Sequence, residues 1–128
     1  MLDFFMEVLL DTNFIVSCIL KNIDFLGELE EMGFKPVVPR EVIQELKDLK
    51  TEKKTSHYGA MAIDLALQFF EDSKIKKTRI GGNSVDAGLI EKGKEGIYIA
   101  TLDREVKRNV PNRIVIDSAR KRLKVERD

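Results

Sequence analysis

The chain has little of what several common protein classes need: among 128 residues there is no tryptophan, one cysteine and one histidine. A single cysteine excludes an intrachain disulfide, and together with a single histidine it excludes the ligand sets of zinc sites. The formal net charge is zero, so no global positive field draws the protein onto nucleic acid. No apolar run approaches the roughly 20 residues needed to cross a bilayer.

The residues that often carry chemistry have ordinary explanations here. Cys18 lies in an apolar stretch and is expected to be a buried, inert thiol. His57 lies in a polar segment without a Ser or Cys partner and is expected at the surface. The pair Gly81-Gly82 lacks the further glycine of a dinucleotide-binding loop, so no nucleotide cofactor is expected. Residues 1–6 lack the basic start and cleavage site of a signal peptide, which predicts a cytoplasmic protein.

The composition that remains is that of a globular protein. Apolar residues make up 43% of the chain and charged residues 34%, which excludes the low hydrophobicity of a disordered chain. A chain of this length can bury about two thirds of the surface that it exposes when unfolded. We therefore predict one compact domain spanning residues 1–128.

Short apolar segments alternate with segments of helical periodicity. Strands are predicted over residues 8–10, 35–38, 76–80, 97–100 and 113–116, and helices begin near Phe14, Asn22, Pro39, Tyr58, Asn83 or Ser84, and Asp103. Parallel neighbours need crossover connections, so this alternation predicts an α/β fold: a three-layer α/β/α domain with a mainly parallel central sheet. Residues 47–57 lose the apolar periodicity and are predicted to form an exposed, mobile connection.

Details of the helices follow from spacing and from helix-ending residues. Gly33 is expected to end the second helix, and Gly93 with Gly96 to end the helix before the fourth strand. Tyr58, Phe69 and Phe70 fit the buried stripe of one helix, so few aromatic side chains remain to stack on bases.

Four carboxylates occupy positions that this alternation brings together: Asp11, Glu45, Asp86 and Asp103. Asp11 and Asp103 follow apolar strands, and in open α/β sheets such positions gather at the carboxyl edge near the switch in strand order. Glu45 lies beside the apolar stripe of its helix, whereas Glu41 and Asp48 are predicted to point outward.

Each acid taken alone also has a structural explanation. Asp11 and Asp103 are suited to capping helices, Glu45 to a solvated helix face, and Asp86 to the favourable first turn of a helix. As a set they would repel one another by roughly 4 kcal/mol per pair at about 4 Å and an effective dielectric near 20. A cation relieves that repulsion, and Mg²⁺ and Mn²⁺ prefer carboxylate oxygen and water. The set therefore predicts a Mg²⁺ or Mn²⁺ site.

The segments around these acids resemble, in order, the four motifs of PIN-domain nucleases. They are residues 8–14 with Asp11, 39–46 with Glu45, 85–90 with Asp86 and 100–105 with Asp103. The resemblance covers almost the whole chain and is nearest to the archaeal and eukaryotic branch that processes ribosomal RNA. It implies a Rossmann-like domain and a metal-dependent endoribonuclease that hydrolyses the phosphodiester bonds of RNA. Asp11, Asp86 and Asp103 would be metal ligands, and Glu45 a ligand or the base that orients water.

Further residues gain roles from these four. Asn13 and Thr101 are predicted to orient carboxylates and water. Arg104, Lys107 and Arg108 follow Asp103 on one short helix and are predicted to bind RNA phosphates beside the metal.

One feature departs from the family pattern. Many members of that branch carry two adjacent acids at the third motif, whereas Asp86 stands between Val85 and Ala87, which puts a second ion or full activity in question. Asp117 follows the last predicted strand and is expected either to act as an outer acid or to cap the closing segment.

Other functions and partners stay open. One alternative is a catalytically weak domain that binds RNA or protein in ribosome assembly; another is a toxin-type ribonuclease with an antitoxin partner. A phosphatase built on Asp11 is disfavoured because the second acid two positions on is missing. Basic residues at 50–54 and 120–124 are either salt-sensitive RNA contacts or solvated surface, and helices rich in Leu, Phe and Met allow a homodimer.

Overall fold

The fold is a six-stranded sheet with helices on both faces, seen in a computed structural model that describes residues 5–72 and 74–128. The strands are β1 (Met6–Leu10), β2 (Phe34–Pro39), β3 (Lys76–Thr78), β4 (Tyr98–Ala100), β5 (Asn112–Asp117) and β6 (Arg122–Arg127). The helices are α1 (Thr12–Leu20), α2 (Phe25–Glu31), α3 (Arg40–Lys50), α4 (His57–Asp72), α5 (Val85–Lys94) and α6 (Arg104–Asn109). None of the helices in the described ranges is long and apolar enough to cross a bilayer.

The strand order is β3-β2-β1-β4-β5-β6, and every pair is parallel except β5 with β6. The chain moves from β1 outward to β2 and β3, then returns across the sheet to β4 and β5. Right-handed crossovers place helices on opposite faces for these two directions. The switch in strand order lies between β1 and β4. The predicted three-layer α/β/α fold with a mainly parallel sheet is confirmed.

The two faces of β1 are buried in two separate cores. Val8 and Leu10 pack with helices of the first half of the chain, and Leu9 packs with Leu89 of α5 and Val106 of α6. This alternation is the period of a strand that is covered on both faces. Because β1 is central and buried throughout its carboxyl half, the residue that follows it is held rigidly.

Helix boundaries agree with the sequence in part. Helix α2 is capped by Asp24, whose side chain accepts the N–H of Gly27, and not by Asn22, which adopts a positive φ of 56° in the turn before it. Gly33 ends this region with φ 87°, as predicted. Gly93 does not end α5 but lies within it, where an added Cβ would come 2.3 Å from Cγ1 of Val110.

The predicted connection over residues 47–57 is shorter than expected. Helix α3 continues to Lys50, so residues 51–56 alone join it to α4. The hydroxyl of Thr55 donates to the carbonyl of Leu49 at 2.6 Å and that of Thr51 to the carbonyl of Asp48 at 3.0 Å. The apolar pattern ended before the helix did because the last turn of α3 has little core to contact.

Helix α4 is confirmed, and the buried stripe predicted for it is right at Phe70 but wrong at Tyr58 and Phe69. Phe70 is buried, whereas Tyr58 is 73% exposed and Phe69 is 40% exposed. The helix turns Ala62 and Ala66 toward the core, because small residues allow close approach to α1 and α3. Four of its larger side chains, Tyr58, Met61, Leu65 and Phe69, are left at the surface.

Strand β6 was not predicted. Residues Arg122–Arg127 pair antiparallel with β5, and Leu123 is buried while Arg122 and Lys124 point to solvent. Four charges among these six residues concealed the alternation typical of an edge strand. The terminal basic run is therefore one side of a hairpin.

Candidate active site

Asp11 is the buried centre of the site. It follows β1, its backbone N–H donates to the carbonyl of Ala100 at 2.9 Å, and it caps α1 through the N–H of Thr12 at 2.8 Å. Only 6% of the residue is exposed. The strand on one side and the helix on the other leave its carboxylate a single orientation.

Thr101 connects Asp11 with Asp103 across the strand-order switch. Its hydroxyl is fully buried, donates to Oδ2 of Asp11 at 2.7 Å and accepts the backbone N–H of Asp103 at 3.1 Å. Asp103 in turn caps α6 through the N–H of Val106 at 3.0 Å. Each acid that follows a strand thus caps a helix and still presents an oxygen to the site.

All four predicted acids line one cavity of about 500 Å³. Its described lining is Asp11, Asn13, Glu45, Asp48, Leu49, Glu52, Asp86 and Asp103. Asp48 and Glu52 were missed, and the expectation that Asp48 points away is wrong. The spacing held the signal for Asp48, because it follows Glu45 by three residues on one helix face. Glu52 lies beyond the helix, where no periodicity marks a direction.

Asp86 lies in the first turn of α5, and Glu41 fixes the loop that leads into this helix. The carboxylate of Glu41 accepts the backbone N–H groups of Ile80, at 3.1 Å, and Gly81, at 2.9 Å, a role that the sequence did not predict. Burial alone would raise the pKa of Glu41, but these hydrogen bonds and the charge of Arg79 hold the pKa below its ordinary value.

The glycines of this loop allow its close approach to α5. Gly82 has φ 85°, and an added Cβ there would lie 2.9 Å from the backbone nitrogen of Gly88. A Cβ on Gly88 would lie 2.4 Å from the carbonyl oxygen of Gly81. The first turn of α5, with Asp86, is therefore pressed against the loop.

The electrostatics of the cavity resist full ionisation. Burial raises the pKa of Asp11, hydrogen bonds from Thr101 and Thr12 oppose the rise, and the charges of Asp86 and Glu45 add to it. Desolvation of its carboxylate raises the pKa of Asp86, and the charges of Asp103 and Glu45 raise it further. A cation between these groups would relieve the repulsion.

The chemistry of the lining fits a hard divalent ion. Every polar side-chain atom of the described lining is an oxygen that could bind a metal ion, except the amide nitrogen of Asn13. Within the described residues, no three His, Cys, Asp or Glu side chains stand close enough to hold an ion by themselves. Mg²⁺ commonly binds through one or two carboxylates and keeps several of its waters, so acids around an open cavity suit it. Thr12, next to Asp11, has a buried hydroxyl without a protein partner, which a water would satisfy.

The predicted basic contacts lie elsewhere. Arg104, Lys107 and Arg108 line a second cavity, of about 450 Å³, together with Arg113 and with acids of the C-terminal segment. Arg108 pairs with Glu105 at 3.4 Å, which partly neutralises it. Helix α6 runs from its cap residue Asp103 toward the start of β5. Its basic side chains therefore lie outside the acidic cavity.

Asp117 does not join the acidic cavity. It ends β5, its carboxylate accepts the N–H of Arg120 at 3.2 Å, and it lies 3.8 Å from that guanidinium group. Of the two expected roles, the cap of the closing turn is the one that it fills. Cys18 is fully buried, and burial raises the pKa of its thiol to about 12, as expected for an inert cysteine.

Asp11→Asn should stabilise the protein at pH 7 in the absence of divalent ions. A carboxyl with a raised pKa in the folded state makes stability fall as the pH rises from the unfolded value near 4 through the folded value. The amide removes that loss: its oxygen still accepts the N–H of Thr12, and its nitrogen donates to the Thr101 hydroxyl, which in wild type donates to Asp11. Urea unfolding in EDTA should show a higher unfolding free energy than wild type at pH 7 and no gain below about pH 4.

Glu91→Gln, an exposed acid on α5, is the matched control and should show no such pH-dependent gain. Added Mn²⁺ should reverse the order, because an ion at 100 times its Kd stabilises the folded wild type by about 2.7 kcal/mol. An Asp11→Asn variant less stable than wild type at pH 7 in EDTA would contradict the conclusion that the charge of Asp11 destabilises the fold.

Thr101→Val should destabilise the protein by about 1–3 kcal/mol, because it leaves the Asp103 N–H and one Asp11 oxygen without their partner. Thr101→Ser keeps the hydroxyl and should lose less. The pKa of Asp11, measured by carboxyl NMR titration, should rise in Thr101→Val and stay near the wild-type value in Thr101→Ser. Equal shifts in both variants would show that packing, and not the hydroxyl, holds the carboxylate.

Comparison with known proteins agrees with this architecture. A model of the family described as PIN like domain matches residues 8–122, and no curated protein matches. Among solved structures, that of the PIN domain endonuclease Utp24 superposes with a TM-score of 0.74 at 21% identity, over 95% of this chain and 92% of that chain. At this identity the likeness supports the fold. Because the family match spans most of the chain, this protein belongs to the PIN like domain family.

Proposed function

We propose that the chain is a Mg²⁺- or Mn²⁺-dependent endoribonuclease. The observation that carries this proposal is the meeting of four acids, from four separate segments, around one cavity at the strand-order switch. Family membership supports a nuclease, and the structural relative is described as an endonuclease. A stability argument alone does not account for the cluster, since its charges raise the pKa values of two members.

The side chains divide the work by position. Asp11, Asp86 and Asp103 would hold the ion in part through its bound waters, and the ion when bound would activate a water and offset charge that develops on the phosphodiester. Thr101 fixes the oxygen of Asp11, and Asn13 at the cavity wall orients a water or a phosphate oxygen. Glu45 lines the cavity and makes no hydrogen bond to another described residue, and it would accept a proton from the attacking water.

A phosphodiester is repelled by this lining unless a cation is present. The cavity holds six carboxylates and no Lys or Arg among its described lining residues. Substrate binding at the reacting bond therefore depends on the ion as much as cleavage does. This dependence distinguishes the proposal from acid–base cleavage without metal.

The biological setting follows from the resemblance alone. Ribosomal-RNA processing and a toxin-type role both fit an endoribonuclease in the cytoplasm, with an assembly factor or an antitoxin as the corresponding partner protein. A catalytically weak RNA- or protein-binding module is the second candidate. The absence of a closed set of three ligating side chains among the described residues favours that candidate.

Cleavage of a labelled single-stranded RNA should require Mg²⁺ or Mn²⁺ and should fall about 100-fold or more in Asp11→Asn, since even residues that only support metal ligands cost 10–100-fold. Glu45→Gln should lower kcat more than metal affinity if Glu45 receives the proton. Asp64→Asn, an acid on α4 that pairs with Lys50 at the surface, is the matched control. Gel-based single-turnover assays with EDTA and metal titrations measure both effects.

Tight RNA binding without cleavage in any divalent ion would replace the enzyme by the binding module. Cleavage that persists in Asp11→Asn would indicate a contaminating nuclease. Calorimetry that detects no Mn²⁺ binding would remove the metal site itself.

A second copy of the chain is the partner that fits the exposed face of α4. Tyr58, Met61, Leu65 and Phe69 lie at spacings of three and four residues and are 40–73% exposed. In an antiparallel pair of α4 helices, Tyr58 would face Phe69 of the second copy and Met61 would face Leu65. The stripe is thus complementary to itself, which a twofold dimer requires.

Leu65→Lys should convert a dimer into a monomer, because each lysine would bury its charge against Met61 of the second copy. Glu71→Lys, exposed on the same helix but off the stripe, should leave the dimer intact. Light scattering coupled to size exclusion measures the mass. A wild-type monomer at 100 µM would contradict the pairing without touching the nuclease proposal.

A further inference from the structure

The tip of the β5–β6 hairpin is a basic surface that neither the acidic cavity nor the core explains. Arg120, Lys121, Arg122 and Lys124 are all exposed and lie within five residues, and we call them the hairpin tip. Asp117 offsets Arg120 alone, at 3.8 Å. The other three make no ion pair with any described residue.

The hairpin tip is held in place. Glu28 of α2 accepts the backbone N–H of Leu123 at 2.8 Å, and Leu123 itself is buried. Lys21 at the end of α1 donates to the hydroxyl of Ser118 in the turn at 3.3 Å. Arg120, Arg122 and Lys124 line an open cavity of about 440 Å³ with Asp117 and Leu123. The cations therefore stand on a fixed frame, and Lys21 adds a fifth.

Helix α1 joins this surface to the acids. It begins at the Asp11 cap and ends beside Lys21, nine residues or roughly 14 Å away. Asn13, Ser17 and Lys21 follow one another at four-residue steps along one ridge of α1. Asn13 lines the acidic cavity, and Lys21 touches the turn that carries the hairpin tip. The ridge is polar throughout.

We propose that single-stranded RNA runs from the acidic cavity along the Asn13–Ser17–Lys21 ridge to the hairpin tip, where the cations bind its phosphates. This inference rests on the proposed ribonuclease function and names its substrate track. Because the net charge is zero and the centre is acidic, the nuclease depends on a local cationic surface to bind RNA. The cluster on α6 is less suited, because Arg108 is paired and Arg113 engages two carboxylates.

The test measures RNA binding apart from cleavage. Lys121→Gln/Arg122→Gln/Lys124→Gln is made in the Asp11→Asn background, and fluorescence anisotropy with a labelled 20-nucleotide oligouridine is followed from 50 to 300 mM salt. Loss of three phosphate contacts should lower affinity at least about 10-fold at low salt and reduce the slope of log K against log salt by about 2. The matched control Lys35→Gln/Lys92→Gln/Lys94→Gln removes as many cations from β2 and α5, away from the hairpin tip, and should change the slope little.

Equal slopes for the tip variant and the Asp11→Asn parent would overturn the track, as would equal losses in the tip and control variants. A polyglutamate peptide that binds through the tip as tightly as RNA would overturn it in favour of an acidic protein partner. Tip-dependent RNA binding by a wild-type protein that cleaves nothing in Mg²⁺ or Mn²⁺ would support the track and overturn the nuclease. No RNA binding by the parent would overturn the track whatever the cleavage result.

Discussion

The right-handed crossover is the constraint on which the site depends. It sends the first half of the chain to one side of β1 and the second half to the other, so β1 and β4 become neighbours although they are almost ninety residues apart. Asp11 follows one strand and Thr101 follows the other. Their 2.7 Å hydrogen bond exists because of chain topology, and the acids on α3 and α5 enter the same crevice from opposite faces of the sheet.

The buried and mutually repelling carboxylates of the site destabilise the fold. Asp11 is almost fully buried and has a raised pKa, and the pKa of Asp86 is raised by burial and by two neighbouring acids. The hydrogen bonds that Thr12 and Thr101 donate to Asp11 lower its pKa and offset part of this cost without removing it. A protein that keeps such repulsion has a use for the cation that cancels it.

The residues that could be predicted from the sequence are marked by local patterns, whereas those that were missed depend on contacts between distant segments. Asp11 and Asp103 were found because strand ends are marked by apolar runs, and Glu45 because helical phase placed it beside a buried stripe. The role of Glu41 was missed because its partners are backbone N–H groups 39 and 40 residues away along the chain, which no local pattern encodes. The same limit explains Tyr58 and Phe69: periodicity identifies an apolar stripe, but the packing of Ala62 and Ala66 decides which edge of it faces the core.

The protein has no net charge, but its acidic and basic side chains are concentrated in separate regions. Six carboxylates converge on one cavity while four cations, of which Arg120 alone has an ion-pair partner among the described residues, gather at the hairpin tip. The polar ridge of α1 joins the two regions. With a Debye length of about 8 Å at physiological salt, each region acts on a bound polyanion almost independently of the other. Phosphates held at the tip would therefore feel little repulsion from the acids roughly 14 Å away along α1, and the reacting phosphate alone would need the ion. This separation allows a neutral protein to bind a polyanion and still place one of its bonds among carboxylates.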